Sequence, residues 1–86
     1  MIVADQLQAI RGRIDRLDRR VAGLLARRFA LSLPLRRLKQ KNSDQAREKR
    51  VLANAAACSD RPIVRKALRA IFSEIIRQSK KLQTPR

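Results

Sequence analysis

Leu7, Ile10, Ile14, Leu17, Val21, Leu24, Leu31, Leu35 and Leu38 recur in alternating steps of three and four residues. That is the repeat of one face of an α-helix, sustained far beyond an ordinary helix length. With Asp5 as the N-cap, the pattern predicts a helix over about residues 5–40, roughly 50 Å long at ~1.5 Å per residue. A chain of 86 residues cannot be that wide as a compact monomer. Such a helix must lie against something equally long, most simply a second copy of itself. Pro34 falls inside the pattern. It removes the hydrogen bond to the Ala30 carbonyl and clashes there, at a cost of ~3 kcal/mol, so a kink is expected, with a full break as the alternative.

Two further helices follow. "QKNSD" is the first turn signal, and a helix over 44–58 carries Glu48, Val51, Leu52 and Ala55 on one face. "CSDRP" is the next break, where Asp60 can cap and Pro62 suits a first helical turn. A third helix over 61–83 carries Val64, Leu68, Ile71, Phe72, Ile75 and Ile76 and continues to Leu82, and residues 84–86 are expected to fray. The expected fold is all-α, a single domain over 1–86 with three helices. The scarcity of Gly and Pro and the abundance of Ala, Leu, Arg and Lys agree with this.

Composition excludes several function classes. The absence of His removes histidine acid–base chemistry and the commonest metal ligand. Cys58 is the only cysteine, so no intrachain disulfide or cysteine-rich zinc site is available, and it reads as a small, semi-buried residue. No apolar run approaches the ~20 residues of a membrane span. "MIVADQ" turns polar too early for a signal peptide, which makes a soluble, cytoplasmic protein the expectation. The net charge of +15 calls for an anionic partner or site. Stacking on single-stranded nucleic acid is disfavoured by the lack of Trp and Tyr and the presence of only two Phe.

Polar residues interrupt the apolar stripes. Extending the first heptad from Leu24 puts Arg28 where a seam residue belongs. A buried guanidinium is costly unless an anion meets it, although it can also snorkel to the edge. Lys39 lies eleven residues on, about 20° round the same face if the helix is unkinked. Arg11 is roughly 42 Å from Lys39 along a straight helix, so one small site cannot use both from one chain. An antiparallel dimer can. Asp44 and Glu48 lie four apart near the start of the second helix with Arg47 beside them, where carboxylates also serve as ordinary dipole complements. The third helix's stripe arrives at Ser79 and Gln83, although helix ends often turn polar. Together these groups describe a cage for a small polyanion, with no nucleophile–base pair and no metal cluster.

"LQAIRGRIDRLDRRVAGLLARR", "LKQK", "DQAREKRVL" and "IIRQSKKLQ" resemble the all-helical class of chorismate mutases over about residues 5–83. The specific part is the order Arg, Arg, Lys, then Asp-x-x-Arg-Glu, then Ser-x-x-x-Gln. The resemblance implies an intertwined homodimer with antiparallel first helices, acting without a cofactor on chorismate. It assigns Arg11, from the other chain, and Arg28 to the substrate carboxylates, with Arg47 close by. Lys39 and Gln83 would donate to the ether oxygen, Asp44 and Glu48 would place the ring hydroxyl, and Ser79 would assist at a carboxylate. This chain departs from the family in its short 40–43 turn, in Pro34 and in its arginine-rich outer faces. Isochorismate pyruvate lyase and aminodeoxychorismate mutase are alternatives on the same scaffold. A basic helical module that grips nucleic acid through phosphate contacts is the alternative of another class; for the enzyme, such contact is at most non-specific.

Overall fold

Helix α1 runs Ile2–Ser32, 31 residues or about 46 Å of rise. The structure, a computed structural model, describes residues 2–38 and 44–83, with only the backbone of Ile2 and Arg36. The expectations for Lys39, for the 40–43 turn and for residues 84–86 lie outside the described residues. Asp5, expected as the N-cap, sits inside the first turn of α1, where its charge complements the helix dipole.

The helix expected to reach residue 40 stops at Ser32. Leu33 and Pro34 form a turn, and a single helical turn, α2, follows at Leu35–Leu38. A kinked continuous helix is therefore not what the backbone adopts. Pro34 has no N–H for the Ala30 carbonyl, and a proline also pushes the residue before it out of the helical region. The restart is marked by the Arg37 N–H, which donates to the Pro34 carbonyl at 3.0 Å, a short-range i to i+3 bond.

The chain divides into two compact units, residues 1–30 and 31–86. The first is the body of α1 alone. Its apolar stripe of Leu7, Ile10, Ile14, Leu17, Val21 and Leu24 is 45–58% exposed at every position. These half-exposed side chains form one regular apolar face along the helix.

The second unit is organised by two helices, α3 (Gln45–Ala56) and α4 (Pro62–Gln83), packed against each other. Asp44 is the N-cap of α3, in extended conformation, and its Oδ1 accepts from the Arg47 N–H at 3.0 Å. The α3 C-terminus closes with one last α-type bond, Ala57 N–H to the Ala53 carbonyl at 3.0 Å, and a tighter three-residue one, Cys58 N–H to the Ala55 carbonyl at 3.1 Å. The following turn is held by Ser59 rather than by the Asp60 cap expected from sequence. Ser59 Oγ accepts from Arg61 N–H at 3.1 Å, and its carbonyl accepts from Arg65 Nη1 at 3.0 Å. Pro62 then opens α4, where its missing N–H costs nothing. Cys58 is exposed, not semi-buried, because it falls where the backbone leaves the α3 repeat; its Sγ donates to the Asn54 carbonyl at 3.5 Å.

Between α3 and α4 the buried apolar residues are Ala55, Ala56 and Ile75. Two small side chains in succession let the helix backbones approach closely. Among the described residues no large side chain is fully buried, and no helix is long and apolar enough to cross a membrane.

Candidate active site

The inward stripe of α4 begins with apolar residues. Val64, Leu68, Phe72 and Ile76 are half-buried and Ile75 is buried, whereas Ile71 and Leu82, also expected in the apolar pattern, are exposed because they fall out of its phase. Its next two members are polar: Ser79 is 6% exposed and Gln83 only 4%. Burying a hydroxyl and a primary amide is unfavourable unless each finds a partner, and both residues are engaged in polar interactions. Within the Gln83 amide, the oxygen Oε1 is buried and meets no hydrogen-bond donor among the described residues. The two side chains point inward because they hold the phase of the stripe. They are not a solvated helix end, which was the bland reading of the sequence.

On α3, Glu48 is half-buried at the head of the stripe that continues as Val51, Leu52 and Ala55. Lys80 Nζ of α4 lies 2.7 Å from Glu48 Oε2, with the two side chains 34% and 27% exposed. This pair joins the two helices at the level of Ser79. Lys80 was not singled out from sequence. Its signal was present, since it stands four residues beyond half-buried Ile76 and so lies on the edge of the inward face.

Asp44 and Arg47 are exposed. One oxygen of Asp44 is committed to capping α3, so the ordinary dipole-and-cap role foreseen for this carboxylate is the one its geometry displays. Arg11 and Arg28 belong to the first unit. Arg11 is exposed; Arg28, at the seam position of the heptad, is half-buried and takes part in a polar interaction. The remaining ion pair of note lies on the outer side of α4. Glu74 Oε1 accepts from Arg77 Nε at 3.0 Å, and Glu74 Oε2 accepts from Gln78 Nε2 at 2.7 Å. These bonds, that from Arg77 first, hold the Glu74 carboxyl below the usual range, and Glu74 in turn raises Arg77.

The α3–α4 unit therefore carries a half-buried Glu48 on one helix, buried Ser79 and Gln83 on the other, and the Lys80–Glu48 ion pair between the two. Such a set can orient a polar ligand and hold charge by fixed donors and acceptors. Comparison with family models matches residues 10–84 to chorismate mutase type II. The chain belongs to that family. Among curated proteins and among solved structures, no match emerges. The matched span opens one residue before Arg11 and closes one residue after Gln83, so it takes in every site residue foreseen from the sequence. The chorismate mutase type II family implies an isomerase acting on chorismate and an all-helical scaffold, in agreement with the helices seen here.

Proposed function

We propose that the protein is a homodimeric chorismate mutase that rearranges chorismate to prephenate. The observation that carries this reading is the burial of Ser79 and Gln83 in phase with Ile75, inside a chain that matches the family from end to end of the foreseen site. Polar groups are retained in a helical core where an apolar residue would be cheaper.

The reaction is a single pericyclic step. The C–O bond of the enolpyruvyl ether breaks as a C–C bond forms, and six electrons shift around the ring of reacting atoms. No proton is transferred and no adduct forms. The protein must hold an extended dianion in a folded, near-attack shape and meet negative charge that grows on the ether oxygen. In this reading Arg28, and Arg11 from the second chain, take the two carboxylates, with Arg47 and Ser79 in support. Lys39 and the Gln83 amide N–H donate to the ether oxygen. Glu48, with Asp44 beyond it, accepts from the ring hydroxyl. The exposed stripe of α1 supports the dimer: each chain carries an exposed apolar face from Leu7 to Leu24.

The test is loss of chorismate absorbance with the product identified by mass spectrometry, for the parent, Gln83→Ala and Lys39→Ala. The expected result is prephenate from the parent and a fall in kcat/KM of roughly 10²–10³ for each variant, with helix content retained. Turnover by Gln83→Ala and Lys39→Ala at the parent rate overturns the assignment. Release of pyruvate from isochorismate, or salt-sensitive DNA binding without chorismate turnover, would replace it with one of the alternatives.

A further inference from the structure

The chain has 22 Lys and Arg but only seven Asp and Glu, so carboxylates are the scarce groups. One of these few, Glu48, is bound at 2.7 Å by a lysine from another helix, and the two side chains are only 27% and 34% exposed. Lys80 stands next to Ser79 and three residues before Gln83, so its ammonium reaches Glu48 from the same turn that carries the buried hydroxyl and amide. Neighbouring Lys81 is exposed.

We propose that Lys80 is a specificity-determining residue, which fits the Glu48 end of the site to a neutral hydroxyl donor and sets it against an ammonium. This rests on the reading of Glu48 as the acceptor of the ring hydroxyl. A carboxylate alone binds –NH₃⁺ more strongly than –OH, because the former bond is charge-assisted. With Lys80 on Oε2 the local charge of the pair is close to zero, and Oε1 is left as an ordinary acceptor. A hydroxyl can use it without penalty. A second cation there would lie within a few ångströms of the Lys80 ammonium, and in a partly desolvated site that repulsion is only weakly screened. The pair thus favours chorismate over its 4-amino-4-deoxy analogue. It does so by an electrostatic obstacle to the wrong substrate as much as by a contact with the right one.

The test compares kcat/KM for chorismate and for 4-amino-4-deoxychorismate in the full-length parent, Lys80→Met and Lys80→Arg. The parent is expected to favour chorismate by roughly tenfold or more, the size of one such repulsion in a partly desolvated site. Lys80→Met is expected to move that ratio about tenfold toward the amino compound, and Lys80→Arg to keep it. Were Lys80 only a tie between α3 and α4, Lys80→Met would lower both substrates equally, and an unchanged ratio overturns the proposal. So does a parent that turns over both compounds equally well, a result that needs no variant. A parent that acts on neither compound defeats the mutase reading itself, which separates the two failures.

Discussion

Replacing Leu17 by Ala tests whether the α1 stripe is a chain–chain seam. Leu17 lies at the middle of α1 and is 55% exposed within one chain. Complete burial of a leucine side chain contributes roughly 1.5–3 kcal/mol, so covering the exposed half contributes about 1.2 kcal/mol. Truncation to Ala loses most of that and leaves a partial cavity, for a total of about 1.5 kcal/mol per copy. A two-fold symmetric seam carries the substitution twice, giving about 3 kcal/mol per dimer, or roughly 100-fold in the dissociation constant. Ala is at least as good a helix former as Leu, so α1 itself is not weakened. Sedimentation equilibrium over a wide concentration range reads the constant. Chorismate turnover per milligram should fall on dilution along the same curve if, as proposed, Arg11 of one chain completes the site of the other. Arg19→Gln, exposed and on the opposite side of α1, is the control and should leave the dimer unchanged. A Leu17→Ala protein that dimerises within twofold of the parent would refute the seam. A parent with concentration-independent specific activity as a monomer would refute it more directly.

Asp44→Ala should cost about 1 kcal/mol in thermal or urea unfolding through loss of the α3 cap, and Asp44→Ser should recover most of it. If the carboxylate also serves substrate, kcat/KM stays several-fold down in Asp44→Ser; recovery of both quantities removes Asp44 from the substrate set. Pro34→Ala restores the missing N–H and should join α1 to α2, read as helical Cα chemical shifts at residues 33 and 34. Shifts that keep their turn values would mean that something other than the proline ends α1.

The helices were legible where sequence chemistry and backbone geometry agree. Asp44 and Pro62 each mark a helix start by a local mechanism, a cap and a missing N–H, and the expected 44–58 and 61–83 became Gln45–Ala56 and Pro62–Gln83. The far end of α1 was misread because the apolar repeat continues through Pro34. Periodicity reports which residues face a common surface, whereas the helix end is decided by one backbone hydrogen bond. Ser79 and Gln83 were legible as inward residues because they keep the phase of Leu68, Phe72 and Ile75. Lys80 was not, because a long side chain at the edge of a face can go to water or reach across, and only the partner helix decides. The start of α3 shows the converse: Asp44 looked like a site residue and is seen first as a cap.

The two units are incomplete in opposite ways. Among the described residues, the first carries regular apolar surface and buries none of its large stripe residues; the second buries Ser32, Ser79 and Gln83 but holds only Ala55, Ala56 and Ile75 as buried apolar residues. A core that small cannot by itself offset the entropy of ordering an 86-residue chain, so the largest unused source of stability is the α1 face. Folding that draws on that face is coupled to association, and the net charge of +15 on every chain opposes association until salt or an anion screens it. In the proposed dimer, a dicarboxylate held among arginines from both chains would relieve part of that repulsion where it binds. Substrate should therefore tighten the dimer as the dimer completes the site, since a ligand that binds only the assembled form must stabilise it. Chorismate added at saturating concentration should shift the sedimentation profile toward dimer, and by more at low salt than at high salt.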